Sequence, residues 1–422
     1  MDLYSELAWR GMVYDTTDGL QEVLAVESVT AYVGFDPTAA SLHVGSLLPV
    51  MALARLQRCG HSPIALVGGG TGMIGDPSGK ATERTLQSAE QVEANVRGIR
   101  SQLERFLDFD PGPQSARLVN NAEWLGGIGA LDFLRDVGKF FTVNYMLAKE
   151  SVKRRVESEE GISFTEFSYL LLQAYDFLVL NERYGCGVQM GGSDQWGNIT
   201  AGLDLIRKVR GARAHGLVLP LVTTAAGTKF GKTEAGAVWL DPGLTSPYEF
   251  YQFWLNVDDR DAVRYLKYFT FMDAAMVEEL ERASEREPER RQAQRELARE
   301  VTRLVHGSAA VAEAEAAAEK LFGGDLSTMS AKELLQIFHS VPSCDLASVG
   351  AGWTIPEILV AAGVTASKGE ASRLLKGGGI YVNGRRVVDE KARILPDEAI
   401  EGRFFAIRKG KKDNFLVRLV RP

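Results

Sequence analysis

A turn between a predicted strand and a predicted helix brings together residues suited to binding an anion. Val29 to Phe35 is rich in β-branched and aromatic residues, which indicates a buried strand, and the apolar spacing from Leu47 to Cys59 indicates a helix. The turn between them, residues 37–46, carries Thr38 and His43 as side-chain donors. The first backbone N–H groups of a helix lack internal partners and favour negative charge. This turn, the first donor segment, is therefore predicted to bind phosphate.

A second cluster of donors lies far along the chain in a glycine-flanked loop. Residues 227–233 read Gly-Thr-Lys-Phe-Gly-Lys-Thr and follow an apolar run, Leu217 to Val222, that is typical of a strand. Lys229 and Lys232 are three residues apart and could hold a polyphosphate between them. A loop of this kind is more often a solvated turn. Residues 227–233, the second donor segment, therefore predict a nucleotide site only in combination with the first.

Three polar side chains interrupt a long apolar helix. The helix is predicted over Phe167 to Leu180, and Tyr169, Gln173 and Asp176 follow one another at spacings that place them on one face. An apolar stripe at this spacing usually belongs to a core, but buried polar groups need partners. The sequence therefore predicts a polar pocket against this helix.

The two donor segments, in this order, resemble the HIGH and KMSKS signatures of class I aminoacyl-tRNA synthetases. The first reads His43-Val44-Gly45-Ser46 and the second Lys229-Phe230-Gly231-Lys232-Thr233. The wider resemblance is to the bacterial tyrosyl-tRNA synthetases, and it covers essentially the whole chain. The segments that carry it are Tyr-Val-Gly-Phe-Asp-Pro-Thr at 32–38, Gly-Asp-Pro-Ser-Gly at 75–79, Ser-Tyr-Leu-Leu-Leu-Gln-Ala-Tyr-Asp-Phe at 168–177 and Gly-Gly-Ser-Asp-Gln-Trp-Gly-Asn at 191–198.

The resemblance implies an enzyme that activates L-tyrosine with ATP and transfers it to the 3′ end of tyrosine tRNA. Activation would yield tyrosyl-adenylate and pyrophosphate, through positioning and stabilisation of charge on the pyrophosphate. The implied catalytic residues are Thr38, His43, Lys80, Arg84, Lys229, Lys232 and Thr233. The implied tyrosine-binding residues are Tyr32, Asp76, Tyr169, Gln173, Asp176, Gln189 and Gln195, of which Tyr32 and Asp176 would read the phenol oxygen. The implied ATP-binding residues are Gly34, Asp36, His43, Gly45, Ser46, Gly192, Asp194, Lys229 and Lys232.

The resemblance also implies the partners of the enzyme. ATP would enter with Mg²⁺ as a substrate, with no dedicated metal site of protein side chains and no organic cofactor. A homodimer is implied, because the neighbourhood of Phe164 lies at a two-fold subunit contact in this family. The implied contacts to tyrosine tRNA are Arg207, Lys208, Lys368, Arg373, Lys376, Arg385 and Arg386.

The order of patterns along the chain predicts the architecture. Strands alternate with helices up to residue 223, which predicts a Rossmann-like doubly wound parallel sheet, and consecutive helices follow from residue 247. The last segment combines a basic helix with a hairpin at Asn383-Gly384 and resembles the alpha-L RNA-binding motif. With the roles that the resemblance implies, the predicted domains are an α/β catalytic domain (1–225), the KMSKS-type loop with an α-helical anticodon-binding domain (226–324), a linker with one short helix (325–352) and a small α+β alpha-L RNA-binding domain (353–422).

Composition and charge fit this interpretation. The 422 residues carry a net charge of −7, and residues 353–422 hold 14 Lys and Arg against 8 Asp and Glu, so +6 lies there and −13 elsewhere. A basic terminal segment on an acidic body indicates a local nucleic-acid contact. The three cysteines form no disulfide pattern, no signal peptide is evident, and no apolar run approaches the ~20 residues that span a bilayer. We therefore expect a cytoplasmic protein with no membrane partner.

Other functions remain open from the residues alone. A tryptophanyl-tRNA synthetase would share the fold, but Tyr32 and Asp176 as a phenol-reading pair argue against it. A relative that has lost catalysis and binds RNA would share the basic terminal segment, although the intact set of site residues favours an enzyme. A nucleotidyltransferase with a His-x-Gly signature would not explain the C-terminal segments. Two departures from the family pattern, Ser46 for the second His and Val33 where Cys is frequent, would weaken ATP binding modestly.

Overall fold

The computed structural model describes residues 2–78, 87–159, 161–233, 236–323, 326–338, 341–347, 352–410 and 413–420. The chain forms two compact units, of which the first contains Met1–Asp241 and Asn256–Val305 and the second Pro242–Leu255 and His306–Pro422. Within the described ranges, every helix is either too short or too polar to cross a lipid bilayer.

A mostly parallel sheet forms the centre of the first unit. Its strands are β1 (Asp15–Thr16), β2 (Thr30–Phe35), β3 (Ser62–Val67), β4 (Arg117–Asn120), β5 (Cys186–Gly192) and β6 (His215–Leu219). The strand order is β1-β6-β5-β2-β3-β4, in which β2 to β6 are parallel and β1 pairs antiparallel with β6. Strands β3 and β5 lie on opposite sides of β2, so the carboxyl ends of β2 and β5 flank a topological switch point, where such sheets bind ligands. The predicted doubly wound parallel sheet is confirmed.

The helices of the described residues follow the predicted order. They are α1 (Leu3–Trp9), α2 (Leu20–Val26), α3 (Leu47–Arg58), α4 (Ala89–Leu103), α5 (Ala122–Leu125), α6 (Ala130–Asp136), α7 (Val143–Leu147), α8 (Glu150–Val156), α9 (Phe164–Tyr184), α10 (Trp196–Arg210), α11 (Pro247–Leu255), α12 (Asp259–Phe269), α13 (Ala274–Arg286), α14 (Gln292–His306), α15 (Ser308–Gly323), α16 (Ala331–Ile337), α17 (Ile355–Ala361) and α18 (Lys368–Lys376). Short 3₁₀ turns occur at Val44–Ser46, Thr71–Met73, Gly138–Phe140, Ser193–Gln195, Pro288–Arg290, Leu326–Thr328 and Pro396–Glu398.

Helix α9 carries the polar stripe and is longer than its apolar run predicted. It starts at a cap in which the Ser163 side chain accepts from the Glu166 N–H, and it ends at Gly185, whose φ of 62° is left-handed. A capping hydroxyl supplies an acceptor for an otherwise unpaired helix N–H, and glycine tolerates the left-handed turn that stops a helix. These two ends fix where Tyr169, Gln173 and Asp176 lie along the sheet.

The second unit is built around a five-stranded sheet, counted over the described residues. After the small hairpin β7 (Lys232–Thr233) and β8 (Gly236–Ala237) of the first unit, the strands are β9 (Ser343–Ala347), β10 (Trp353–Thr354), β11 (Ile380–Val382), β12 (Arg385–Val387), β13 (Arg393–Ile394), β14 (Phe404–Lys409) and β15 (Asp413–Val420). The sheet order is β12-β11-β14-β15-β9, and β10 pairs with β13. The predicted hairpin turn is present, with Asn383 at φ 47° and Gly384 at φ 84°, as a type I′ turn requires.

The predicted linker over 325–352 needs a correction. Strand β9 lies inside it and pairs in parallel with β15, from Ser343 beside Leu416 to Ala347 beside Val420. Helix α16, also inside it, contributes Leu334 to a core shared with β14 and β15. The segment is therefore part of the C-terminal fold. The sequence did not show this because an exposed, five-residue edge strand has too few inward-facing residues to produce a pattern.

The consecutive helices after residue 245 also divide differently from the prediction. Helices α12 and α13 belong to the first unit with nearly all of α14, whereas α11 and α15 belong to the second. An amphipathic pattern shows that a helix buries one face but does not show which neighbour covers it. The sequence therefore predicted the helices but not their grouping.

Candidate active site

The first donor segment is held in a defined shape by His43. Its Nδ1 accepts the Gly45 N–H at 3.0 Å, so the neutral ring carries its proton on Nε2. A Cβ on Gly45 would lie 2.8 Å from the His43 ring, so glycine is needed for this approach. The imidazole and the start of α3 are thereby fixed relative to each other.

The structure brings the second donor segment to the first. Val44 donates its N–H to the Val238 carbonyl at 2.9 Å, and Val238 donates to Gly231 at 3.1 Å. A Cβ on Gly231 would lie 2.7 Å from the Val44 side chain and 3.1 Å from the Gly45 nitrogen. His43 also pairs with Trp239 in an antiparallel bridge. The two donor segments therefore meet, although residues 47–226 separate them in the chain.

Lys229 lies close enough to the carboxyl end of β5 to influence Asp194. Burial raises the pKa of Asp194, the neighbouring Asp76 carboxylate raises it further, and the positive charge of Lys229 opposes both. Lys232 and Thr233 form β7 by their backbone, and their side chains lie outside the described part of the chain. Lys80 and Arg84 also lie outside the described residues.

A buried carboxylate forms the bottom of the pocket against α9. Asp176 is 1% exposed, and it accepts from Asn121 Nδ2 at 2.9 Å and from Trp124 Nε1 at 2.7 Å. Burial raises the pKa of Asp176 to about 7, although both donors lower it. Each oxygen has one partner here and can accept a second hydrogen bond.

Two further polar atoms in this region are buried without a partner among the described residues: the hydroxyl of Tyr32 and Oε1 of Gln189. Burial raises the pKa of Tyr32 well above its usual value, and the Asp176 charge adds to this effect. The Tyr32 ring contacts Phe177, with centroids 5.3 Å apart. Unpaired buried polar atoms are costly, and the Tyr32 hydroxyl is close enough to Asp176 for the two to interact, which marks a position for a ligand hydroxyl.

A chain of amides connects the other predicted tyrosine-binding residues. Gln195 Nε2 donates to Asp76 Oδ2 at 2.7 Å, and Gln173 Nε2 donates to Gln195 Oε1 at 3.2 Å. Asn198 Nδ2 donates to Gln173 Oε1 at 3.0 Å. Tyr169 is linked elsewhere, since its hydroxyl lies 3.4 Å from Asp36 Oδ1. Asp36 therefore connects α9 to the start of the first donor segment.

Sequence reasoning missed Asn121, Trp124 and Asn198. Asn121 follows β4 directly, and its Nδ2 also donates to Thr71 Oγ1 at 2.9 Å. Asn198 lies on α10 shortly after β5 ends. Their position just past the carboxyl ends of predicted strands was the available signal, because ligands bind at that edge of the sheet.

The remaining predicted ATP-binding residues line the same edge of the sheet. Gly34 is exposed near the end of β2, Thr38 is exposed in the first donor segment, and Ser46 is the residue before α3. Gly192 ends β5, and a Cβ there would lie 2.6 Å from Asp194 Oδ1. Val33, by contrast, is buried in the core.

The predicted tRNA-binding residues lie on α10, on α18 and on the β11–β12 hairpin. Arg207 and Lys208 are exposed on α10, where Arg207 pairs with Asp204 at 2.9 Å. Lys368 pairs with Glu357 at 3.1 Å, and Lys376 lies 3.6 Å from Glu390. Arg386 Nε donates to the Gly378 carbonyl at 2.9 Å, which ties the β11–β12 hairpin to the segment after α18. Arg373 and Arg385 are exposed.

Two family models match the chain. The model of tRNA synthetases class I (W and Y) matches residues 25–323, and the model of the Tyrosine--tRNA ligase SYY-like C-terminal domain matches residues 333–417. The chain belongs to the class I tRNA synthetase family of tryptophan and tyrosine enzymes. The predicted resemblance is confirmed, and so is the prediction of an aminoacyl-tRNA synthetase.

Relatives distinguish the tyrosine enzyme from the tryptophan enzyme. The Tyrosine--tRNA ligase of Roseiflexus castenholzii is 58% identical over 421 residues, which are 99% of each chain. That of Geobacillus stearothermophilus is 56% identical over 423 residues, 99% of this chain and 100% of the relative. Identity at this level over nearly the full length confirms the prediction of a tyrosine–tRNA ligase.

Solved structures share the fold. A C-terminally truncated mitochondrial tyrosyl-tRNA synthetase of Aspergillus nidulans has a TM-score of 0.70 at 32% identity, covering 76% of this chain and 94% of that one. A tyrosyl-tRNA synthetase of Archaeoglobus fulgidus complexed with L-tyrosine has a TM-score of 0.53 at 18% identity, covering 75% of this chain and 99% of that one. The second likeness concerns the fold alone.

Proposed function

We propose that this enzyme activates L-tyrosine with ATP in the pocket between β2, β5 and α9, and then transfers it to tyrosine tRNA. The observation that carries the assignment of the pocket is the Tyr32 hydroxyl, unpaired within the described chain and close to the Asp176 carboxylate. A hydroxyl without a partner among the described residues lies beside a carboxylate whose oxygens can each accept one more bond. A tyrosine phenol donates to Asp176 and accepts from Tyr32, which completes both groups.

Selectivity against phenylalanine follows from the same two residues. A substrate without the hydroxyl leaves Tyr32 and Asp176 unpaired in the interior. A site that forms hydrogen bonds to a substrate hydroxyl rejects the analogue that lacks it. Tyrosyl-tRNA synthetases are themselves the standard example, since they discriminate against phenylalanine by a factor of ~10⁵. Editing of mischarged product is then unnecessary.

At the other end of the substrate, Asp76 receives the α-ammonium group. Its Oδ2 is oriented by Gln195, and Gln173 and Asn198 hold that amide in place. Fixing the ammonium and the phenol together leaves the carboxylate as the group that is free to react. An ionised carboxylate needs no general base, so activation depends on aligning it with the α-phosphate of ATP.

The two donor segments stabilise the departing pyrophosphate. Thr38 and His43 act from the first segment, and Lys229, Lys232 and Thr233 act from the second, with Lys80 and Arg84 assigned by resemblance. Negative charge grows on the pyrophosphate as the bond to the α-phosphate breaks. Fixed hydrogen-bond donors stabilise this charge most strongly where water is excluded. Mg²⁺ arrives with ATP, since phosphate oxygens are among its preferred ligands. Asp194 accepts from the ribose hydroxyls.

We assign tRNA binding to basic groups of both units. Arg207 and Lys208 on α10 contact the acceptor stem, and the α-helical segment within 226–324 contacts the anticodon region. The basic segment 353–422 holds the tRNA body through Lys368, Arg373 and Lys376 of α18 and through Arg385 and Arg386 of the β11–β12 hairpin. The +6 balance of that segment supports this assignment.

Apolar side chains support a homodimer. Leu131, Val143 and Phe164 are 82%, 60% and 76% exposed, and Leu134 and Leu147 in the same stretch of sequence, from α6 to α9, are also exposed. A second copy of the chain would remove these groups from water.

The three cysteines are free thiols, which fits the reducing cytoplasm as the site of the reaction.

Pyrophosphate exchange with each of the twenty amino acids in turn tests the activation step. We expect ATP–pyrophosphate exchange with tyrosine and none above background with phenylalanine or tryptophan. Exchange with tryptophan instead would overturn the substrate assignment. Absence of exchange with every amino acid, together with tRNA binding, would favour the RNA-binding alternative.

A further inference from the structure

Helix α4 presents a polar face to the first donor segment. Asn95, Gly98 and Gln102 are spaced at i, i+3 and i+7, so they lie on one side of the helix. Asn95 is 1% exposed and Gln102 is 8% exposed. Buried amides at helical spacing are unusual in a core and need partners. Here Gln91 donates to Asn95, which also donates to Gln87, and the other partners of the two amides are backbone and hydroxyl groups of the first donor segment.

Gln102 makes two hydrogen bonds to this segment. Its Oε1 accepts from the Leu42 N–H at 2.8 Å, and its Nε2 donates to Ser41 Oγ at 2.9 Å. Asn95 Nδ2 donates to the Pro37 carbonyl at 2.8 Å. The contact of Asn95 lies directly before Thr38, and the contacts of Gln102 lie directly before His43, so the two amides hold the segment at both of its donor residues.

Gly98 lets the helix approach the same segment closely. A Cβ at this position would lie 2.0 Å from the Ala40 carbonyl oxygen. Glycine is less favourable than alanine in the interior of a helix, so helix propensity does not explain the glycine at position 98. The close approach of the Ala40 backbone does.

Ser41 extends these contacts to the chain that leaves the second donor segment. Its Oγ accepts from the Asp241 N–H at 3.1 Å, and Leu240 donates to the Leu42 carbonyl at 2.9 Å. Asp241 lies two residues after Trp239, which pairs with His43. Gln102 therefore supports, through Ser41, the place where the chain after the second donor segment contacts the first donor segment.

We propose that Gln102 and Asn95 are positioning residues for adenylate formation, which hold the first donor segment so that Thr38 and His43 meet the ATP phosphates. This inference rests on the proposed function. Neither residue contacts the tyrosine pocket around Asp176, so the two act on the chemical step and leave tyrosine binding alone. A displacement of ~1 Å in a catalytic group can cost ~100-fold in rate.

Gln102→Met tests the proposal, because it keeps the length of the side chain and removes both hydrogen bonds. We expect the single-turnover rate of tyrosyl-adenylate formation to fall ~10- to ~100-fold per active site, with the tyrosine dissociation constant changed by less than about twofold. Gly98→Ala is the second variant, since it favours the helix and displaces Ala40. We expect the same split between rate and tyrosine affinity.

Gln294→Met is the matched control. Gln294 is a buried amide of α14 in the same unit, 2% exposed; it donates to Asp259 and has no hydrogen bond to the described part of either donor segment. It should lose stability and keep the rate. Hydrogen–deuterium exchange of the 37–46 peptide supplies a readout without substrates, and it should speed up in Gln102→Met and Gly98→Ala but not in Gln294→Met.

The outcomes separate the two claims. Unchanged peptide exchange in both test variants, or faster exchange with an unchanged adenylation rate, overturns the positioning role. A rate loss that Gln294→Met reproduces also overturns it, because general destabilisation then explains the effect. If the parent enzyme forms no adenylate with tyrosine, the proposed function itself fails, and the catalytic part of this inference fails with it.

Discussion

At the scale of single residues, Asp176 and Tyr32 are polar groups that the free enzyme buries with incomplete compensation. Burial raises the pKa of the Asp176 carboxyl to about 7 despite the donors Asn121 and Trp124. The hydroxyl of Tyr32 has no hydrogen-bond partner within the described chain. Both groups therefore lower the stability of the free enzyme, and a bound phenol would recover that loss.

Asp176→Asn should trade tyrosine binding for a pH-dependent gain in stability. The pKa of the Asp176 carboxyl rises from 3.8 to about 7 on folding, so the folded state favours the protonated form. The cost of this carboxyl to folding stability therefore grows with pH up to about 7 and then levels off. The variant should therefore gain roughly 2 to 3 kcal/mol relative to the parent between pH ~5 and pH ~8. Urea unfolding at both pH values measures this, and a pH-independent difference would contradict it.

Tyr32→Phe should affect selectivity more than folding. Removing a buried, unpaired hydroxyl relieves a desolvation cost, so the free energy of unfolding should stay the same or rise by about 1 kcal/mol. The loss of one neutral hydrogen bond to substrate should reduce the preference for tyrosine over phenylalanine by roughly 5- to 10-fold. The ratio of the two kcat/KM values in pyrophosphate exchange tests this, and an unaltered ratio would remove Tyr32 from phenol recognition.

Part of this pocket could be read from the sequence. Tyr169, Gln173 and Asp176 share a helix, so their spacing alone places them together. Asn121 and Trp124 come from the segment after β4, and their contact with Asp176 depends on how that segment crosses the edge of the sheet. No local spacing connects them to α9, which is why they were missed.

At the scale of elements, the site depends on the close approach of the two donor segments. Gly231 has a φ of 83°, and a Cβ there would lie 2.7 Å from the Val44 side chain. Gly227 in the same loop has a similar φ of 77°, but a Cβ there would meet nothing within 4 Å. A substitution at Gly227 therefore introduces only backbone strain, whereas one at Gly231 introduces the same strain and also disturbs the contact between the two donor segments.

Gly231→Ala should reduce pyrophosphate exchange ~10- to ~100-fold, because the added methyl pushes the second donor segment away from His43. Gly227→Ala should cost about 1 kcal/mol of left-handed strain and leave the exchange rate close to that of the parent. Comparing both variants at saturating tyrosine and ATP measures the difference. Equal losses in the two would show that strain, and not the approach of the segments, limits the rate.

The elements themselves were largely predictable, and their partners were not. Strand β2 and helix α3 follow from a β-branched run and a helical period, both of which are local signals. Strand β9 was assigned to a linker because its place in the sheet depends on pairing with β15, far along the chain. Pairing partners are set by the tertiary fold, which periodicity does not encode.

At the scale of the whole molecule, the two units contain different parts of the proposed machinery. The first unit contains both donor segments and the tyrosine pocket, all within Met1–Asp241. The second contains the basic terminal sheet, α11 and α15. Its core is continuous across the predicted linker, because Leu334 and Ile337 of α16 pack with Phe404 and Leu416.

This core determines where the chain can be shortened. Deleting 353–422 leaves β9 without β15 and uncovers Leu334 and Ile337, so that protein should aggregate or bind hydrophobic dyes. Deleting 326–422 removes the sheet together with β9 and α16 and uncovers fewer side chains of this core, chiefly Ala317 and its neighbours Leu321 and Tyr248, so it should be more nearly monodisperse in light scattering than the 353–422 deletion. It should keep tyrosine-dependent pyrophosphate exchange within about threefold and lose ~100-fold in tRNA charging, since only transfer needs the phosphate contacts of the second unit. If exchange disappears in a folded 326–422 deletion, the terminal sheet supports activation and not only tRNA binding.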